Sequence, residues 1–231
     1  MKVLDLFSGL GGWSNAFKDR GHKVVTLDIE QKFNPTICTD IMKVKPEEIL
    51  EGYGEFDIIL ASPPCNCFSV ASVYRHWDKD TRMPKDEQTY ESIKLVGHTI
   101  NLILNMFPRW WILENPRGML RNVLGKPSAT IFYGAYGLKV LKPTDLWGRL
   151  PNIKWKQPVK WEKAPRGSHS GVQGIDAKYV KANQRWGRWR QDDKTIRTPE
   201  LRALVPYELS MAICIHCEKK LKGEKQDVTK V

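Results

Sequence analysis

Two groups in this chain have the chemistry to make and break bonds: the thiol of Cys65, in Pro63-Pro64-Cys65-Asn66-Cys67-Phe68-Ser69, and the carboxyl of Glu114, in Glu114-Asn115-Pro116. The two prolines stiffen the chain ahead of the thiol and keep it out of a helix. A cysteine attacks as its thiolate, which nearby positive charge favours, and Arg75, His76, Lys79 and Arg82 follow in the same stretch. A carboxyl in a partly desolvated crevice tends to stay protonated and can donate to a ring nitrogen as the thiol adds to the ring. Each group also has a plain reading. Cys65 could be a buried structural cysteine, and Glu114 could pair with Arg117 or Arg121 on the next turn.

The elements around these groups decide whether they can meet. Lys2 to Phe7 reads as a short buried strand, Ser8 to Gly12 as a turn into an amphipathic segment ending near Arg20, and Val24 to Asp28 as a second strand closed by an acid. A strand is expected to end near Asp40-Ile41, and Phe56 to Ala61 forms another that runs into Ser62-Pro63-Pro64. From Glu87 to Phe107 the apolar residues Ile93, Val96, Ile100, Ile103 and Phe107 repeat at helical spacing until Pro108, and Trp110 to Leu113 is a strand leading to Glu114. Strand and helix alternate, which predicts an α/β fold with a doubly wound, mostly parallel sheet. In such a sheet ligands lie beyond the carboxyl ends of the strands, where both Cys65 and Glu114 fall.

The same topology makes Ser8-Gly9-Leu10-Gly11-Gly12 a ligand turn, with Asp28 able to accept from ribose hydroxyls. The spacing is not that of a dinucleotide fingerprint, so a nucleoside ligand with no required pyrophosphate suits it. The alternative is a tight turn and a capping acid.

Later segments are looser. Ala129 to Tyr133, Leu138 to Leu141 and Thr144 to Trp147 look like short strands, and Pro206 to Leu221 resumes helical spacing. The expected organisation is a catalytic and cofactor-binding α/β domain over 1–148, a small basic loop-rich target-recognition segment over 149–195, a return to the catalytic domain over 196–221, and a polar, frayed tail over 222–231.

The chain has 231 residues and a formal charge of +11, from 37 Lys and Arg against 26 acids, which points to a polyanion such as nucleic acid. No apolar stretch of about 18 residues exists, so no membrane partner is expected. The opening strand is broken too soon, by Asp5, for a signal peptide, and the five scattered cysteines do not form a disulfide framework, so a reduced, cytoplasmic protein is expected. Cys214-Ile215-His216-Cys217 has no second ligand pair at zinc spacing and reads as helix, so packing thiols and no metal are expected.

In order, Asp5 to Gly12, Asp28, Asp40-Ile41, Pro63 to Ser69 and Glu114 to Pro116 resemble the motifs of the cytosine C5 DNA methyltransferases over about half the chain. The compact pattern, with Lys142-Pro143-Thr144-Asp145-Leu146-Trp147, looks like the small prokaryotic and viral members. The resemblance implies that Phe7, Ser8, Gly9, Leu10, Gly11 and Gly12 hold S-adenosylmethionine. It gives Asp28 the ribose with Ile29 beside it, Asp40 and Ile41 the adenine, and Pro64 a place lining the pocket. It makes Cys65 the nucleophile toward C6 of a cytosine swung out of its helix and Glu114 the contact to N3. Ser69, Asn115, Pro116, Arg117, Lys142 and Arg166 are further substrate-binding candidates.

The departures are Asn66-Cys67 where the family usually has Gln-Gly, Pro116 where it usually has Val, and no visible Gln-x-Arg-x-Arg motif. Tyr133 to Gly148, with Lys139 and Lys142, stands in the place of that motif. The segment available for target recognition is short. Trp147, Trp155, Trp161, Trp186 and Trp189 stand among Lys154, Lys156, Lys160, Lys163, Arg166, Arg185, Arg188 and Arg190. They could stack on bases and bind phosphate, or the tryptophans could form a satellite core. DNA is the expected substrate, RNA the alternative; a silent nucleic-acid-binding protein or a subunit needing a separate specificity partner is the non-enzymatic reading.

Overall fold

The computed structural model describes residues 1–138, 142–157 and 203–228, with side chains as far as 223. The element order is β1 (Lys2–Leu6), α1 (Ser14–Asp19), β2 (Lys23–Asp28), β3 (Ile37–Cys38), α2 (Pro46–Tyr53), β4 (Ile58–Ala61), α3 (Val73–His76), α4 (Glu87–Asn105), β5 (Trp110–Pro116), α5 (Leu120–Leu124), β6 (Ala129–Phe132), β7 (Pro143–Arg149) and α6 (Tyr207–Val228). The strands form one seven-stranded sheet in the order β3-β2-β1-β4-β5-β7-β6. From β3 to β5 neighbours are parallel, and β7 is antiparallel to both β5 and β6.

The side chains of each strand alternate between two faces, and both faces are covered. Val3, Ile58, Leu60 and Ile112 pack with Trp13, Phe17, Leu209 and Ile213 of the α1 and α6 layer. Leu4, Leu6, Ile59 and Ala61 pack on the other face with Ile49, Leu102 and Ile103 of α2 and α4. Period-two burial on both faces is what a doubly wound sheet requires, and it explains why these strands read as continuous apolar runs. Asp86 starts α4 by accepting from the Thr89 N–H at 2.8 Å.

Three expectations change. The packed face of α4 was expected to reach Phe107, but the helix ends at Asn105 and Phe107 turns out to solvent, 87% exposed at φ 49°, in the reversal before Pro108. The strand near Asp40 is only Ile37–Cys38, and Asp40 instead caps a 3-10 turn over Ile41–Lys43, its carboxylate accepting from the Met42 N–H at 2.9 Å. The tail expected to fray from 222 continues α6 to Val228. Residues 133–136 form a 3-10 turn, and the expected strand over 138–141 lies mostly outside the described residues.

α6 is tied to the start of the chain. Ser210 Oγ donates to the Trp13 carbonyl at 2.5 Å, Tyr207 OH to Asp19 at 2.7 Å, and Arg20 and His22 both hold Glu218.

Candidate active site

β4 and β5 are parallel neighbours, so the loops leaving their carboxyl ends start side by side. Three contacts then join the loops. Asn115 Nδ2 donates to the Pro63 carbonyl at 3.0 Å, the Met119 N–H to the Phe68 carbonyl at 2.7 Å, and Ser69 forms a β-bridge with Gly118. A Cβ on Gly118 would stand 2.1 Å from the Phe68 oxygen, so this closeness requires glycine. Cys65 is thereby held beside Glu114, half-buried at the mouth, with Pro64 and Asn66 exposed and Cys67 buried behind it.

Glu114 is buried and has several partners. Tyr133 OH donates to Oε1 at 2.8 Å, the Ser62 hydroxyl bonds to it, and Lys142 lies near enough to act on its charge. Ser62 in turn accepts from Trp13 Nε1 at 2.9 Å. Burial pushes the Glu114 carboxyl above the usual range, while Lys142, Tyr133 and Ser62 pull it back. The alternative partners do not take it. Arg121 forms a fork with Asp145, both arms 2.5 Å, and Arg117 is exposed.

The Cys65 thiol is pushed up, first by burial and then by the Glu114 carboxylate, with Lys142 opposing both. The expectation that the following basic stretch favours the thiolate is corrected here. Arg75, Lys79 and Arg82 are exposed, and His76 is buried against Asp86 at 2.8 Å. The cation acting on the thiol comes instead from Lys142, distant in sequence. Tyr133 and Ser62 were also missed as partners of Glu114, and Trp13 as the donor to Ser62. Their one sequence signal is that Tyr133 opens the stretch standing where an arginine motif was sought.

The glycine turn lies where expected. Phe7, Gly9 and Gly11 have φ of 60°, 47° and 80°, which bends the chain from β1 into α1. A Cβ on Gly12 would stand 2.7 Å from the Val205 nitrogen, so Gly12 lets the segment before α6 lie against the turn. Asp28 accepts from the Gly9 N–H at 2.8 Å and the Glu30 N–H at 2.9 Å, tying the ends of β1 and β2 together. Each of its oxygens keeps a lone pair for a ribose hydroxyl. Leu10 and Ile29, 45% and 63% exposed, offer apolar surface beside that carboxylate. A nucleoside fits this set. The Ile41 side chain is packed in the core and its carbonyl accepts from the Val44 N–H at 3.1 Å and bonds His98 at 2.8 Å, so any contact of this residue with an adenine would be through its N–H.

Of the further substrate candidates, Lys142 reaches the thiol and carboxyl, and Pro116 and Arg117 follow Glu114 along the rim. Asn115 acts as the strut to Pro63, and Ser69 bonds Ser72 at 3.0 Å. Arg166 lies outside the described residues, as do Trp161, Trp186, Trp189, Lys160, Lys163, Arg185, Arg188 and Arg190. The stacking reading fails for Trp147 and is left open for half-buried Trp155. Trp147 is buried with its N–H on the Gly125 carbonyl at 3.2 Å, and Trp155 packs against the main core.

Cys214 and Cys217 are buried thiols pushed up to about 12, chiefly by burial. His22, Cys214 and Glu218 are close enough to share an ion, but the Glu218 carboxylate is occupied by the Arg20 fork at 2.8 and 2.5 Å. No helix among the described residues is long and apolar enough to cross a membrane.

Residues 1–132 match the profile of a family described as C-5 cytosine-specific DNA methylase. A Frog virus 3 protein named as a probable DNA (cytosine-5)-methyltransferase is 28% identical over 227 residues, which are 94% of this chain and 100% of the viral one. The type II methyltransferase M.XorII of Xanthomonas oryzae pv. oryzae is 28% identical over 131 residues, covering 50% of this chain and 28% of that protein. The chain thus spans under a third of this bacterial relative. Among solved structures, the Entamoeba histolytica methyltransferase EhMeth aligns with 69% of this chain and 58% of its own, at a TM-score of 0.47 and 14% identity.

Proposed function

The chain belongs to the C-5 cytosine-specific DNA methylases, and from that premise we propose that it methylates cytosine C5 in DNA, with Cys65 as nucleophile, Glu114 as proton donor and S-adenosylmethionine as methyl donor. The observation that carries this reading is the joining of the two motif loops, which sets a half-buried thiol beside a buried carboxyl at one end of a parallel sheet. A stacked base hides its ring face, so the cytosine must be extruded to lie between the two groups.

There the Cys65 thiolate adds to C6. The C5=C6 electrons move toward the C4–N3 bond, and N3 takes the proton from Glu114, which burial keeps available. The addition leaves C5 electron-rich. When bound, S-adenosylmethionine supplies an electrophilic methyl group, and the residues placed to hold it are Phe7 to Gly12, Asp28 with Ile29, Asp40, the Ile41 N–H and Pro64. After methylation the C5 proton departs, Glu114 recovers its proton from N3, and the C6–S bond breaks to release Cys65. Pro116 and Arg117 contact the target strand at the rim, and the basic, Trp-rich segment over 149–195 serves target recognition.

The test is incubation of the purified chain with methyl-labelled cofactor and either genomic DNA or tRNA, followed by nucleoside analysis. Label in 5-methylcytosine from DNA is expected. Label confined to tRNA would move the substrate to RNA, and label in neither, with DNA still bound, would favour a subunit that needs a specificity partner.

A further inference from the structure

Among the described residues, the cation acting on both the Cys65 thiol and the Glu114 carboxyl is Lys142. It lowers both, and both in turn hold its ammonium against the downward pull of burial. Its place is fixed by the backbone. Lys142 stands at φ 34°, a left-handed conformation rarely kept by a side-chain-bearing residue unless its surroundings impose it. Its carbonyl accepts from the Tyr133 N–H at 3.3 Å and from Thr144 Oγ1 at 3.2 Å, and the next carbonyl, of Pro143, accepts from the Arg117 N–H at 3.0 Å. The ammonium lies 4.4 Å from the centre of the Tyr133 ring, and the hydroxyl of that ring is the one bonded to Glu114.

The titratable groups facing this lysine are therefore Glu114 from β5, Cys65 from the loop after β4, and the Tyr133 phenol after β6, which burial keeps protonated. Asp145 of β7, which also acts on Glu114, has its own charge taken up by Arg121 at 2.5 Å.

We infer that Lys142 is an exchangeable counter-ion, paired with the Glu114 carboxylate before reaction and with the Cys65 thiolate once the thiol proton has passed to Glu114. The inference rests on the methyl transfer proposed above. The exchange is balanced: Cys65–SH and Glu114–COO⁻ become Cys65–S⁻ and Glu114–COOH, and the pocket keeps its net charge throughout. Thiolate addition to C6 with proton transfer to N3 then returns the carboxylate to Lys142. One compact ammonium on a flexible stem suits two partners in turn, where a forked guanidinium would be held by one. Lys142 thereby gives a role to the stretch that stands where an arginine motif was sought.

The test is alkylation of the full chain by iodoacetamide from about pH 6 to about pH 10, with the modified peptides quantified by mass spectrometry. Exposed Cys38 serves as internal control. In Lys142→Met the Cys65 curve should move to higher pH, with alkylation near neutrality about tenfold slower, the equivalent of one unit in the thiol titration. Cys38 should not change, and Lys142→Arg, whose guanidinium is held at Glu114, should recover only a small part of the loss. Glu114→Gln removes the competing anion and should move the Cys65 curve to lower pH, which keeps the inference open to refutation if Lys142→Met does not fold. A Cys65 curve unmoved in a folded Lys142→Met chain, or unmoved in Glu114→Gln, overturns it. Alkylation needs no methyl transfer, so wild-type protein that moves no methyl would refute the proposed function without touching this result.

Discussion

The two sides of β5 deliver residues to the pocket by different rules. On the side of β1 to β4 all strands run parallel, so the carboxyl ends bring the Phe7–Gly12 turn, Asp28, Cys65 and Glu114 to one edge of the sheet. On the other side β7 is reversed, so its amino end meets that edge, and Tyr133 and Lys142 arrive from opposite ends of the connection between β6 and β7. The parallel side supplies the two groups proposed to form and break bonds. The reversed side supplies the hydrogen bond and the charge that act on them. Each side is incomplete alone.

Removing a reacting group on the parallel side should have the largest effect. Cys65→Ala should reduce DNA methylation to background while leaving cofactor binding measurable by calorimetry, whereas Cys67→Ala, a buried neighbour, should keep activity within a few-fold. Full activity in Cys65→Ala would end the assignment. Glu114→Gln should slow single-turnover transfer by about 10²- to 10⁴-fold, the usual range for a lost proton donor.

A cut on the reversed side should be milder and should show in pH dependence. Tyr133→Phe deletes the hydroxyl that helps hold the Glu114 carboxyl down, at a cost of about 1 kcal/mol or about fivefold in rate. Glu114 should then hold its proton to higher pH, so the limb of the rate profile set by its ionisation should move upward. A rate loss with an unmoved profile would reduce Tyr133 to packing.

The smallest effect should come from the seam between α6 and α1, away from the pocket. Arg20 first, then His22, hold the Glu218 carboxyl down to about 2 from 4.5. A carboxyl lowered by folding stabilises fully above its unfolded range and loses that contribution as pH falls toward 2. Glu218→Gln should therefore cost about 1 kcal/mol near neutrality, kept small by solvent screening of half-exposed Arg20, and almost nothing at the acid end. Thermal melts across pH check this. Equal destabilisation at every pH would assign the seam to packing alone.

The parallel side was legible in the sequence because each apolar run ends at a residue whose type suits chemistry: Asp28 closing β2, the prolines and Cys65 after β4, and Glu114 within β5. One face of α4 was legible from its helical spacing. The reversed side was legible only as the stretch standing where an arginine motif was sought, which offered Lys142 as a substrate contact but gave no sign of its action on the thiol or of the Tyr133 bond to Glu114. Charge near in sequence misled. Arg75, Lys79 and Arg82 follow the thiol along the chain and point to solvent, while the cation that acts on it is Lys142. Trp147 misled by composition, since a tryptophan in a basic stretch can as well be core, and here it is.

The most direct test uses DNA carrying 5-fluorocytosine. Fluorine at C5 cannot leave as a proton does, so after methyl transfer the C6–S bond cannot break and the protein stays attached to the strand. The account predicts a denaturant-stable complex, formed only with S-adenosylmethionine present, whose modified peptide carries the base on Cys65. Attachment through any other residue, or methylation of normal DNA with no trapped complex, would contradict it.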